Sequence, residues 1–60
     1  MGSLKFKVGD KVSWQDGGRH MVGTIVQAYM RSRTPNSYYM RIKDKKRLFM
    51  RYETELRRTG

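Results

Sequence analysis

Residues 38–52 read YYMRIKDKKRLFMRY, and their pattern decides the fold. Apolar and charged residues alternate on both sides of a charged cluster at residues 43–46. A period of two is that of a strand, whose side chains point to opposite faces in turn, so the stretch is a β-hairpin and not an amphipathic helix. In the first arm Tyr38, Met40 and Ile42 share one face, and Tyr39, Arg41 and Lys43 the other. In the second arm Leu48 and Met50 oppose Arg47, Phe49 and Arg51. A two-residue Asp44-Lys45 turn pairs Arg41 with Leu48 and mixes the faces. A three-residue loop at Lys43-Asp44-Lys45 pairs Met40 with Leu48 and Tyr39 with Phe49. Because a one-residue slip moves a whole apolar set to solvent, the three-residue loop is expected. The outward face is then Tyr39, Arg41, Arg47, Phe49 and Arg51, two adjacent aromatics among three arginines.

The segments around this hairpin are also β-favouring. KVGDKVSWQ spaces Val8, Val12 and Trp14 evenly, with Gly9-Asp10 as a turn before the strand. Asp16-Gly17-Gly18 supplies a turn with positive φ. HMVGTIVQAYM, residues 20–30, is the longest run, with Gly23, Ile25 and Tyr29 on one side and Val22, Val26 and Ala28 on the other. A strand apolar on both faces is expected to bend and serve the core from each half, with Gly23 at the tight place. RSRTPNS is a loop, because Pro35 cannot donate to a ladder. Residues 52–55 allow one short helical turn before Leu56 joins a brief last strand. The expectation is an all-β fold, a small five-stranded barrel over residues 5–58, with Val12, Ile25, Met40 and Leu48 inward.

Bulk composition narrows the function. With 60 residues and no cysteine, the chain builds one small core without disulfide or zinc-thiolate help. Its single histidine, His20, excludes a multi-histidine metal site. No apolar run nears the roughly 20 residues of a membrane span, and charged residues follow the first four, so neither a membrane segment nor a signal peptide is expected and a cytoplasmic setting is. Fourteen Lys and Arg against five Asp and Glu leave +9, of which residues 31–60 carry +7 (ten basic minus three acidic). Such asymmetry points to a polyanionic partner, since cationic surfaces gain affinity for phosphates by counterion release.

The opening FKVGDKVSW and the later GTIV resemble the bacterial hypervirulence-associated Tudor-like domains and, more loosely, KOW-type modules, on Phe6, Gly9, Asp10, Val12, Trp14, Gly23, Ile25 and Leu56. That resemblance implies an SH3-like barrel. GDKV, GTIV, Tyr29, Thr34-Pro35 and Tyr38 are also similar to the plasmid-borne type II dihydrofolate reductases, tetrameric SH3-like barrels that bind NADPH and dihydrofolate in a shared pore. That family's active surface needs a Val-Gln-Ile-Tyr stretch and a lysine soon after its GDxV. Here Leu48-Phe49-Met50-Arg51 (or Phe49-Met50-Arg51-Tyr52) stands at the first and Trp14 at the second, so the expectation is no enzyme and no cofactor.

Catalytic constellations are otherwise lacking. Ser13, Ser32 and Ser37 lie in no elbow or triad. Glu53 and Glu55 have basic neighbours that favour ionisation. Gly17-Gly18 has no following P-loop lysine. The expected interface is therefore the aromatic–arginine face, Tyr39, Arg41, Arg47, Phe49 and Arg51, fringed by the loop cations Arg31, Arg33, Lys43, Lys45 and Lys46. Bases would stack on the aromatics while the cations contact phosphates, in DNA or RNA, without strong sequence preference. The alternatives are a sheet surface stabilised by a cross-strand aromatic pair, a patch docking an acidic protein, and a homo-oligomer of the reductase kind.

Overall fold

The computed structural model describes residues 3–43 and 45–59. Five antiparallel strands form one sheet: β1 (Lys11–Asp16), β2 (Arg19–Tyr29), β3 (Ser37–Arg41), β4 (Leu48–Tyr52) and β5 (Arg57–Arg58), in the order β4-β3-β2-β1-β5. A 3-10 turn, Glu53–Glu55, precedes β5. Among the described residues no helix is long and apolar enough to cross a membrane.

Local chemistry explains the joints. Asp16 pairs with Arg19 across a two-residue loop in which Gly17 and Gly18 have φ of +59° and +87°. Positive φ at both loop positions matches the right-handed twist of a tight hairpin, and glycine adopts it without steric cost. In β2 the pairing with β3 shifts between Ile25 and Gln27, leaving Val26 as a bulge. The bulge reverses the phase of the strand. Ahead of it Met21, Gly23 and Ile25 fall on the inner side; beyond it Ala28 does, and Tyr29 turns outward. That reversal is why both faces of residues 20–30 carry apolar side chains.

The core gathers Phe6, Val12, Trp14, Ile25, Tyr38, Met40 and Leu56, with Met21, Ala28, Ile42 and Phe49 packed against it. Val8, expected on the same face as Val12, is exposed. A Cβ at Gly23 would lie 3.0 Å from both the Arg41 carbonyl oxygen and the Trp14 ring, so this is the tight place the sequence suggested. The sheet is rolled. In a flat sheet β1 and β4 would lie about 14 Å apart, three strand spacings. Instead the Trp14 and Phe49 rings are 6.0 Å apart, and Arg51 Nη2 reaches Asp16 Oδ1 at 3.2 Å.

Those contacts correct the hairpin register. Met40 pairs with Phe49, Tyr39 with Met50 and Arg41 with Leu48, the register that the three-residue loop was expected to exclude. Leu48 is accordingly not inward but 41% exposed. The physical reason is that both faces of β4 carry apolar groups, so the slip costs less than alternation alone implies. Phe49 offers the core an aromatic ring to cover Trp14, and Arg51 packs its stem inward while its head meets Asp16.

Glu53 fastens the open end of the roll. Its Oε2 accepts hydrogen bonds from the Tyr38 hydroxyl (2.5 Å), the Lys5 amide (3.0 Å) and Asn36 Nδ2 (3.1 Å). The Tyr38 hydroxyl accepts from Phe6 N, and Asn36 Nδ2 also donates to the Ser3 carbonyl. The hydrogen bond from Tyr38 holds the Glu53 carboxyl below its ordinary pKa, aided by the Lys5 amide and opposed by burial. Burial pushes the Tyr38 phenol up, and its bond to Glu53 adds to that.

Candidate nucleic-acid interface

Directly paired residues in adjacent strands share a face, so the outer side of the sheet follows from the ladders. One row is Lys11, Thr24, Arg41 and Leu48. The next is Gln27, Tyr39 and Met50, and the third is Tyr29, Ser37 and Tyr52. Successive rows lie about 7 Å apart along the strands. Tyr39, Leu48, Met50 and Tyr52 are each about two-fifths exposed, with Val22 beside them at 45%. Tyr29 and Tyr39 meet edge to face with centroids 5.6 Å apart. The Arg31 guanidinium lies 5.3 Å over the Tyr29 ring, and Arg31 N donates to Asn36 Oδ1 at 2.9 Å.

The expected site is thus divided. Tyr39 and Arg41 face outward. Lys43, Lys45 and Lys46 are exposed beside Arg41 at the hairpin tip, where Lys45 N donates to the Ile42 carbonyl at 2.9 Å. Arg31 reaches the other end of the same face through Tyr29, and Arg33 is exposed in the loop it shares. Phe49 and Arg51 are not on this face. Phe49 is half-buried against Trp14, and Arg51 is ion-paired with Asp16 and donates to the Met50 carbonyl at 2.7 Å. Arg47, just before β4, is exposed but lies 5.1 Å over the Phe49 ring, on the inner side. The corrected register moves these three together.

Sequence reasoning missed Lys11, Val22, Tyr29, Met50 and Tyr52. Lys11 had a signal, alternation with Val12. Tyr29 had none, because no pattern in residues 20–30 marks the bulge that turns it outward.

The charged residues in the three outer rows, Lys11 and Arg41, are cationic, and the described acidic residues are otherwise engaged. Asp10 pairs with Arg58 at 3.6 Å, Asp16 with Arg51, Glu53 is held by Tyr38, and Glu55 accepts from Tyr52 N at 3.1 Å. Asp44 lies outside the described residues. Lys11, Arg41, Lys43, Lys45 and Lys46 gather at one end of the face, and Arg31 stands at the other. No group of three or more His, Cys, Asp or Glu suited to a metal ion occurs among the described residues; His20 is exposed on β2, its Nδ1 3.4 Å from Gln15 Nε2. Trp14 is buried in the core. Comparisons with protein-family models, curated proteins and solved structures find no match.

Proposed function

We propose that the protein binds single-stranded nucleic acid, with little sequence preference, across the outer face of β2, β3 and β4. The observation that carries this reading is the ladder itself: Tyr29, Tyr39 and Tyr52 stand on one side of the sheet, with cations at both ends of that side. Bases stack on the tyrosines for about 1–3 kcal/mol each, and phosphates meet Arg41, Lys11, the tip lysines and Arg31. The sheet offers no helix for a major groove, so base identity is read weakly. In this reading the protein is a cytoplasmic binding module, neither an enzyme nor dependent on a cofactor.

The test is a titration of labelled oligothymidylate and of a duplex at several salt concentrations. With about four phosphates contacted, log affinity for the single strand falls against log salt with a slope near −3. Duplex binding is expected to be weaker. A second reading, docking of an acidic protein segment, is favoured by the exposure of Val22, Leu48 and Met50 beside those cations. Absence of oligonucleotide binding at low salt would give the face to that partner.

A further inference from the structure

One part of the outer face is concave. β3 ends at Arg41, opposite Thr24, while β2 runs back to Arg19 with only β1 beside it. Where β3 stops and the chain leaves for the hairpin tip, a groove of about 430 Å³ opens. Its lining is Lys11, Val22, Gly23, Thr24, Val26, Arg41 and Lys43. The floor is apolar because Val22 points outward from β2 and the bulge sets Val26 on the same side. The rim is cationic, from Lys11 on β1 and from Arg41 and Lys43 across the groove. Among the described residues no acidic side chain lines it.

We propose that this groove is a discrete site for a mononucleotide, a planar base on the Val22–Val26 floor with its phosphate held among Lys11, Arg41 and Lys43. Charge complementarity selects an anion, and the apolar floor selects one with a body to bury. Arg41 narrows the body to a planar one, since a guanidinium both stacks on flat rings and grips phosphate oxygens by two parallel hydrogen bonds. Thr24 places a hydroxyl beside the apolar floor, where it can meet a polar base edge. The size agrees: small-molecule sites run from about 300 to 1,000 Å³, and this one is near the lower end. The inference is independent of strand stacking on the tyrosines, although the two sites share Lys11, Arg41 and Lys43.

The experiment is a titration of the intact protein with adenosine monophosphate, followed by amide chemical shifts and calorimetry, with adenosine, inorganic phosphate and decanoate as separate arms. The monophosphate is expected to shift Val22, Thr24, Val26 and Arg41, and to bind at least tenfold more tightly than adenosine or phosphate alone. Lys11→Ala and Arg41→Ala each weaken it about tenfold, the loss of one charge-assisted hydrogen bond. Val22→Glu, a change at an exposed position, abolishes binding while the remaining amide spectrum stays folded. Lys7→Ala, outside the groove, leaves the affinity alone. Phosphate binding as well as the monophosphate, decanoate binding more tightly, or indifference to Arg41→Ala and Val22→Glu would each overturn the assignment. Oligothymidylate binding with no monophosphate binding would sink this inference and leave the proposed function standing; the converse result would do the opposite.

Discussion

Replacing Glu53 with alanine is expected to be the most damaging single change outside the apolar core. One carboxylate oxygen there serves three donors from three parts of the chain: Lys5 near the start, Asn36 before β3 and Tyr38 within it. The Lys5 amide is exposed, so water replaces its partner at little cost. The Tyr38 side chain is fully buried and Asn36 is 7% exposed, so their donors lose an acceptor that water cannot supply easily. Leaving a buried donor unsatisfied costs about 1–3 kcal/mol; Tyr38 loses its acceptor while Asn36 Nδ2 keeps the Ser3 carbonyl, which places Glu53→Ala at about 2–4 kcal/mol. For a domain of this size total stability is about 3–9 kcal/mol, so the variant is expected to be partly unfolded at 37 °C. Glu53→Gln keeps an acceptor and loses only the charge, at about 1 kcal/mol. Tyr38→Phe takes away the hydroxyl that Phe6 N donates to, and its effect should overlap that of Glu53→Ala, because both remove the same bond. Urea unfolding followed by Trp14 fluorescence at pH 7 measures all three variants and the double mutant. A Glu53→Ala loss below about 0.5 kcal/mol, the scatter of surface substitutions, would refute the reasoning. So would strict additivity with Tyr38→Phe.

Other outcomes follow from the same geometry. The Glu53 carboxyl is held below its ordinary value of 4.5, so the stability it adds is complete above that pH and is lost as pH falls through the lowered value. The Tyr38 phenol is raised above 10.0, so its contribution is complete below pH 10.0 and is lost as pH rises through the raised value; unfolding scans at pH 3, 7 and 11 check both limbs. Tyr39→Ala should weaken oligothymidylate binding by about 1–3 kcal/mol with the salt slope unchanged, whereas Arg41→Ala should flatten the slope by about 0.7. Phe49→Ala should instead destabilise the fold by about 3 kcal/mol while its folded fraction binds like the parent; a binding defect in that fraction would restore Phe49 to the interface. Gly23→Ala should cost about 1–3 kcal/mol in thermal unfolding, since its Cβ meets backbone as well as Trp14. NADPH-dependent reduction of dihydrofolate should be absent, and turnover by the purified protein would show the dismissed kinship to be functional.

Much of the architecture was legible in residue order because it rests on local rules. Alternation marked the strands, Gly17-Gly18 marked the tight hairpin, Pro35 marked the loop, and Gly23 marked the close approach. Composition likewise announced a cationic protein with its charge concentrated after residue 30. What residue order misjudged was the pairing of β3 with β4, because β4 alternates between two faces that are both partly apolar. The choice between Leu48 and Phe49 as the inward residue depends on Trp14, three strands away in the sheet, which comes near β4 only once the sheet has rolled. Arg51 was settled in the same way by Asp16. Tyr29 was turned outward by a bulge that exists only in pairing with β3. The groove beside Arg41 likewise required strands of unequal length laid side by side. Local pattern therefore determined which residues form strands, and contacts between strands remote in sequence decided which face of each strand meets the solvent.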